Sequence, residues 1–358
     1  MKVGKSLQEL AIELERQNEV KRDYIADTRE IMMTVPDYDE DGEYTPDPVL
    51  SLPKIPNFTI NGVAHDQIAA KTGIPISYYN KMLENEPHLL AENVNTWFQK
   101  NPDKRMIRTL DGTARAFLSD RYRRIDNHEI ATAVLPIIQS FGEGARVDSC
   151  ELTDKRMYIK VVNERITTEV SKGDVVQSGI LISNSETGLG SVTVMPLVYR
   201  LVCSNGMIAN SAGQRSRHVG RTNEGEENFE IYSNETILAD DKAFVMKLQD
   251  IVRSTANIVQ FERVVAAMKI SKEAKITSDN VPGVVQLAAK NFGLYEKESQ
   301  GVLDHLIRGG ELSLYGLANA VTRHAQDVDS YDRSTELEIT GWKMLNMSRP
   351  EWTKLNAA

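Results

Sequence analysis

Residues Gly173–Arg221 read GDVVQSGILISNSETGLGSVTVMPLVYRLVCSNGMIANSAGQRSRHVGR, and the fold turns on how this stretch is read. Two β-rich runs, Val175–Ser183 and Val192–Val202, flank a Gly-punctuated turn, and a Ser/Asn/Gly loop carrying cations follows. Val, Ile, Leu or Met stands at every second or third position of the runs, the pattern of strands covered on both faces. The stretch therefore predicts the buried centre of the fold. The chain has 51 Asp plus Glu, yet none falls between Thr187 and Asn223, where Arg200, Arg215, Arg217, His218 and Arg221 do. Acid is kept out of a segment that cations occupy, which points to an anion; the alternative is that these cations pair with carboxylates from elsewhere in the chain.

Working outward, an upstream hairpin is expected over Lys104–Leu118, with Asp111-Gly112 at its turn, the strongest short-range hairpin signal. A two-residue turn sets Arg108 directly opposite Arg115, and like charges so placed repel. An anion or an acidic side chain should bridge them; the alternatives are a wider loop that separates the two arginines, or a carboxylate such as Asp120 or Asp126 that neutralises them. The cationic cluster Arg121, Tyr122, Arg123, Arg124 comes next, then a helix from Asp126-Asn127 through Phe141 with Ile130, Val134, Ile137 and Ile138 at helical spacing. A second hairpin, Arg146–Leu152 with Arg156–Val162, alternates Met157, Ile159 and Val161 on one face and places Asp148, Glu151 and Lys160 on the solvent face. These elements predict an α+β fold with a central, mainly antiparallel sheet between about residues 104 and 203, covered by helices.

The runs RAFLSDRYRRIDN (115–127), NSETGLGSVTV (184–194), YRLVCSNGM (199–207), RHVG (217–220), LYGLANAVTRHAQ (314–326) and YDRSTELE (331–338) carry a resemblance. Together they are similar to the phage- and plasmid-encoded proteins catalogued as phage/plasmid-like, a domain family of unknown function. The resemblance extends from about Asn57 to Met347 and implies a mobile-element setting rather than an activity.

Before this region, Ser6 to about Arg29 predicts a helix with a thin apolar stripe. The stretch from Val35 to Asn57, with Pro at 36, 46, 48, 53 and 56 and dense carboxylates, predicts an irregular acidic linker. Asp37, Asp39, Asp41 and Gly42 imitate the start of a calcium loop, but Pro48 stands where the bidentate Glu is required. Asn61–Met82 predicts a helical hairpin rather than a DNA-reading helix-turn-helix, because its second helix ends in Glu84 and Glu86. After the sheet, Asn234–Met268 contains neither Pro nor Gly and reads as one long helix whose wide apolar stripe leaves room for subunit contacts. Helices over Val281–Phe292, Ser299–Ile307 and Leu312–Val328 complete a chain divided as 1–56, 57–233 and 234–358.

With 358 residues the chain can bury a sizeable core. Its net charge of −9 argues against general coating of nucleic acid while leaving room for a local groove. No apolar run is long enough to span a bilayer, no secretory h-region is seen, and Cys150 and Cys203 sit in apolar runs, so a cytoplasmic protein with reduced thiols is expected. The Glu186–Gly190 turn links strands rather than opening a helix, which excludes a phosphate-cradling loop. None of the six histidines stands at i, i+4 spacing and no Cys-x-x-Cys occurs, so neither metal nor cofactor is expected. A nucleophile at Cys203 or Ser204 paired with His218 lacks an orienting carboxylate nearby. The expectation is a non-enzymatic protein.

Single-stranded DNA binding or annealing in recombination or replication is the function these features favour. It needs a groove for phosphates and no catalytic side chain, and Arg108, Arg115, Arg121, Arg123, Arg124, Arg200, Arg215, Arg217, His218 and Arg221 would line it, with Tyr122 stacking on a base. The order of helix, hairpin, two strands and long helix resembles the core of ring-forming single-strand annealing proteins, which implies a homo-oligomer. The alternative is an oligomeric interaction protein whose cationic loops hold an acidic partner.

Overall fold

The computed structural model describes residues 1–36, 47–122, 124–190, 192–209 and 234–357. The chain begins with α1 (Leu7–Val20), β1 (Arg22–Asp27), a 3-10 turn (Thr28–Glu30), β2 (Met32–Thr34), β3 (Val49–Leu52) and β4 (Ile55–Ile60). Three helices follow, α2 (Gly62–Thr72), α3 (Ile76–Asn85) and α4 (Pro87–Lys100), then the hairpin β5 (Lys104–Leu110) and β6 (Thr113–Ser119). After α5 (Asn127–Ser140) come β7 (Ala145–Leu152), β8 (Met157–Ser171), β9 (Asp174–Asn184), β10 (Thr193–Arg200) and β11 (Asn205–Ile208). The rest is helical: α6 (Asn234–Thr255), α7 (Ile258–Glu273), α8 (Val281–Phe292), α9 (Glu296–Gly309), α10 (Leu314–His324), α11 (Tyr331–Leu345) and α12 (Arg349–Leu355). The α+β class expected from the sequence is the observed one, but the strands form two sheets rather than one.

Two compact units result, and their limits differ from the division made on sequence. The first comprises Ala11–His128 with Ser185–Leu189, and the second Met1–Leu10, Glu129–Asn184 and Gly190–Ala358.

In the first unit a six-stranded sheet runs β1-β5-β6-β4-β3-β2, antiparallel except where β4 lies parallel to β6. Its core joins Met33, Leu50 and Phe58 of the strands to Ile68, Tyr79, Leu90, Val94 and Phe98 of α2 to α4, with Phe98 stacked on Phe117 at 5.5 Å between ring centroids. Two expectations are corrected here. The predicted helix over Ser6–Arg29 ends at Val20, and Arg22–Asp27 pairs with β5 instead. The proline-rich stretch is not irregular throughout, since Val49–Leu52 and Ile55–Ile60 pair across Pro53-Lys54; Pro56 sits in β4 where the β3 register is interrupted. The calcium-loop imitation at Asp37–Gly42 lies outside the described residues.

The β5–β6 turn is as expected at Asp111-Gly112, both with positive φ (50° and 73°), and Leu110 faces Thr113 and Thr109 faces Ala114. Beyond that point a bulge corrects the register. Arg108 pairs with Ala116, and Arg115 is the extra residue. The direct Arg108–Arg115 apposition is thus avoided by the backbone.

In the second unit β11-β10-β9-β8-β7 form an antiparallel sheet, with β9 buried along nearly its whole length as the two-sided pattern implied. Strand β11, in the stretch expected to be a Ser/Asn/Gly loop, pairs with β10. One core gathers Val176, Val198, Phe261, Val265, Val285, Leu306, Leu317, Val321 and Leu337. Helix α10 is buried around most of its circumference. It packs closely because Gly341 of α11 has no side chain: a Cβ there would come within 2.3 Å of Thr322 Cγ2. The single helix over Asn234–Met268 is also corrected. It breaks after Thr255, and Asn257 caps α7 by accepting from the Val259 amide at 2.9 Å.

Candidate functional site

Arg108, Arg115, Tyr122 and Arg124, singled out on sequence, do come together in the first unit, but with acids that the sequence reading mostly missed. The Arg108 guanidinium has no exposed surface. Its Nε and Nη2 donate to Asp23 at 2.9 and 3.3 Å, its Nη2 also donates to Asp126 at 2.6 Å, and its Nη1 donates to the Glu186 carbonyl at 2.9 Å. Burial alone would disfavour the charged guanidinium; the hydrogen bond to Asp23 and the charge of Asp126 outweigh it and hold the proton more tightly than usual. Burial pushes the Asp126 carboxyl up, but Arg108 and Lys21, the latter 2.6 Å away, leave it below the ordinary carboxylate range.

Arg115 is bound by Glu186, Nη1 to Oε2, at 2.5 Å, and Glu186 Oε1 accepts the amide of Asn127, the first residue of α5, at 2.5 Å. A carboxylate at a helix N-terminus is favoured by the unpaired amides there. The remaining nitrogens of Arg115, Nε and Nη2, are buried without a hydrogen-bond partner. The loop Ser185–Leu189 is held in the same place: Gln67 donates to the Thr187 carbonyl at 2.7 Å while its own carbonyl accepts the Phe117 amide at 2.7 Å. Tyr122 packs against Met106, Ala116 and Leu118, and its hydroxyl donates to the Ser185 carbonyl at 3.4 Å. Its ring serves the edge of the core.

The cations split by exposure. Arg108 and Arg115 are buried and committed to carboxylates, whereas Arg121 and Arg124 are exposed. Arg124 donates a single nitrogen, Nη1, to Asp23 at 3.1 Å, with 57% of its side chain in solvent. Among the described residues of the cluster, Lys21, Arg108, Arg115 and Arg124 set four positive charges against the three of Asp23, Asp126 and Glu186.

Arg200 belongs to the second unit and has structural partners: Asp174 at 2.6 Å, Cys203 Sγ at 3.2 Å and the ring of Tyr315, whose hydroxyl donates to Asp174 at 2.7 Å. Arg123, Arg215, Arg217, His218 and Arg221 lie outside the described residues. Lys160 corrects the reading of the second hairpin. It is fully buried, not on a solvent face, and donates to Glu338 at 2.6 Å beneath the ring of Tyr331, 4.6 Å from its centroid. Burial pushes the Cys150 thiol up to about 12, consistent with an inert core cysteine.

No helix among the described residues is long and apolar enough to cross a membrane. No curated protein and no solved structure matches the chain. The model of the DUF932 family, described as a domain of unknown function, matches residues 116–350 and so includes Arg121–Arg124, Glu186 and the whole second sheet; with more than half of its length matched, the chain belongs to that family.

Proposed function

We propose that the protein binds single-stranded nucleic acid through the exposed edge of the arginine cluster, and that it serves strand binding or annealing in recombination or replication of a phage or plasmid. One observation supports this most: the carboxylates of the cluster are already engaged by buried Arg108 and Arg115, so most of the Arg124 fork offers its charge outward, close in sequence to the exposed Arg121. Arginine forks match phosphate oxygens, and a local surplus of this kind can act in a chain whose overall charge is negative. Helix α5, the β7–β8 hairpin and strands β9 and β10 follow the order that resembles annealing proteins, while β11 and the break after Thr255 depart from it, so this support is analogy alone. Assembly of several copies is part of the proposal. It no longer rests on one long helix, and Ile258, Val259 and Ile270, exposed on α7, are the apolar surface it would cover; light scattering that gives only monomers with and without oligonucleotide would remove it.

Anisotropy of a labelled single-stranded oligonucleotide, titrated at several salt concentrations, tests the reading. Arg121→Gln with Arg124→Gln is expected to lower affinity and to flatten the log–log salt slope by about 0.7 for each phosphate that the protein no longer neutralises. A folded double variant with unchanged affinity and slope would overturn it, as would a wild-type protein that binds no oligonucleotide; retained binding to an acidic protein in that case would turn the arginines toward a protein partner.

A further inference from the structure

In the second unit, helix α9 brings His305 and the end of α10 brings His324 beside Asp327, three residues past the end of that helix. One donor atom from each lies within 4.8 Å of the other two. His305 Nε2 is 2.6 Å from Asp327 Oδ2, and His324 Nδ1 is 3.7 Å from the same oxygen, beyond hydrogen-bond reach. That Nδ1 is buried and has no hydrogen-bond partner. The imidazole is seated against Gly301, one helical turn before His305: a Cβ on Gly301 would come within 2.4 Å of both Nδ1 and Cε1. The two rings stand 6.0 Å apart between centroids, tilted by 49°.

We propose that His305, His324 and Asp327 form a binding site for a divalent transition-metal ion of the Zn2+ type. Two neutral imidazoles and one carboxylate are a donor set that suits zinc and its neighbours better than magnesium or calcium, which take oxygen ligands. Ligand atoms about 2.0 Å from a tetrahedral ion stand roughly 3.3 Å apart. The observed 2.6 and 3.7 Å bracket that spacing, so the ion replaces the direct His305–Asp327 hydrogen bond and draws His324 Nδ1 inward by a few tenths of an ångström. The other carboxylate oxygen is already oriented, because Arg323 Nη1 donates to Asp327 Oδ1 at 3.1 Å, the kind of outer hydrogen bond that fixes a ligand's direction. Arg323 is also the charge that opposes a cation here. Glu298 is a further acid of α9, and Arg333 takes both of its oxygens at 2.7 and 2.8 Å, so it is not a ligand. Three protein ligands leave a fourth position for water or a substrate atom, the arrangement of open rather than closed zinc sites. Spacing along the chain, two histidines four apart on one helix, could not reveal the site, because it draws on two helices.

The test uses the full chain after chelator treatment and dialysis, titrated with Co2+ and, separately, Zn2+. Expected are one equivalent bound, with a visible d–d spectrum of four-coordinate cobalt that Zn2+ displaces, and at least a tenfold weaker Zn2+ affinity in each of His305→Ala, His324→Ala and Asp327→Asn. His88→Gln, on α4, should bind as the wild type does. A wild-type protein that shows no d–d band, or an intense near-ultraviolet band from thiolate ligation at Cys203, overturns the assignment whether or not any variant folds. So do three folded variants with unchanged affinity.

Discussion

Replacing Glu186 by Gln removes one charge and almost no volume, and the structure gives the cost. Glu186 is 5% exposed and is the acceptor for Arg115 Nη1. The other two guanidinium nitrogens of Arg115 already lack partners, so the variant leaves a cation buried with nothing to compensate it. Breaking a buried pair from one side costs about 3–5 kcal/mol. The amide oxygen of Gln can still accept from the Asn127 amide, so the helix end contributes little to the loss. For a unit of this size a kilocalorie corresponds to about 3–4 °C in Tm, and we predict a fall of about 10–20 °C by calorimetry. A second variant, Glu186→Gln with Arg115→Met, removes both charges and should recover most of the loss, because the penalty lies in the orphaned partner rather than in the absence of the pair. A fall of less than about 1 kcal/mol in Glu186→Gln, or a double variant less stable than the single one, would refute the reasoning. By the same logic Arg108→Gln destabilises the free protein, contrary to what repulsion between facing arginines would give.

Two further predictions follow from buried groups. Lys160→Met alone should destabilise by about 3–5 kcal/mol through the stranded Glu338, whereas Lys160→Met with Glu338→Leu should lie within about 2 kcal/mol of the wild type in urea unfolding; equal losses in the two would contradict it. His65, 2.8 Å from the Tyr79 hydroxyl, is pushed down to about 4 by burial, while an unfolded imidazole takes its proton near 6.5. Between those values the unfolded state binds more protons, so this contribution is complete above about pH 6.5 and up to roughly 3 kcal/mol is lost as the pH falls to about 4. His65→Gln should therefore show a shallower decline in stability between about pH 7 and 4.5, and an identical decline would exclude His65 as its source.

The strands that the sequence announces are those whose apolar residues leave no choice. β9 is apolar on both faces, and the Asp111-Gly112 turn admits only a tight hairpin. What escapes is set by partners distant in the chain. Arg22–Asp27 is too charged to look like a strand until β5 supplies its ladder. Pro53 and Pro56 read as breakers, yet one forms the β3–β4 turn with Lys54 and the other falls where the ladder is interrupted. The bulge at Arg115 has no local signature, and without it the two arginines face each other and call for an anion or an acidic side chain between them. Only Asp126 of the three acids was legible as a partner. Glu186 sits in a run that reads as a plain turn, and its role emerges from Arg115, 71 positions earlier in the sequence.

That separation bears on the order in which the protein can be completed as it is made. Residues 11–128 leave the ribosome before Ser185–Leu189, the last piece of the same unit, has been translated. At about 5–20 residues per second the intervening stretch takes on the order of 3–12 s. Throughout that interval Arg115 has its β-strand neighbours but not its carboxylate, and Glu186 has not yet reached the first amide of α5. The early unit must therefore keep this corner open and hydrated, and it closes only when the β9–β10 hairpin delivers Glu186, so that the unit formed first in the chain is finished by a loop translated well after it.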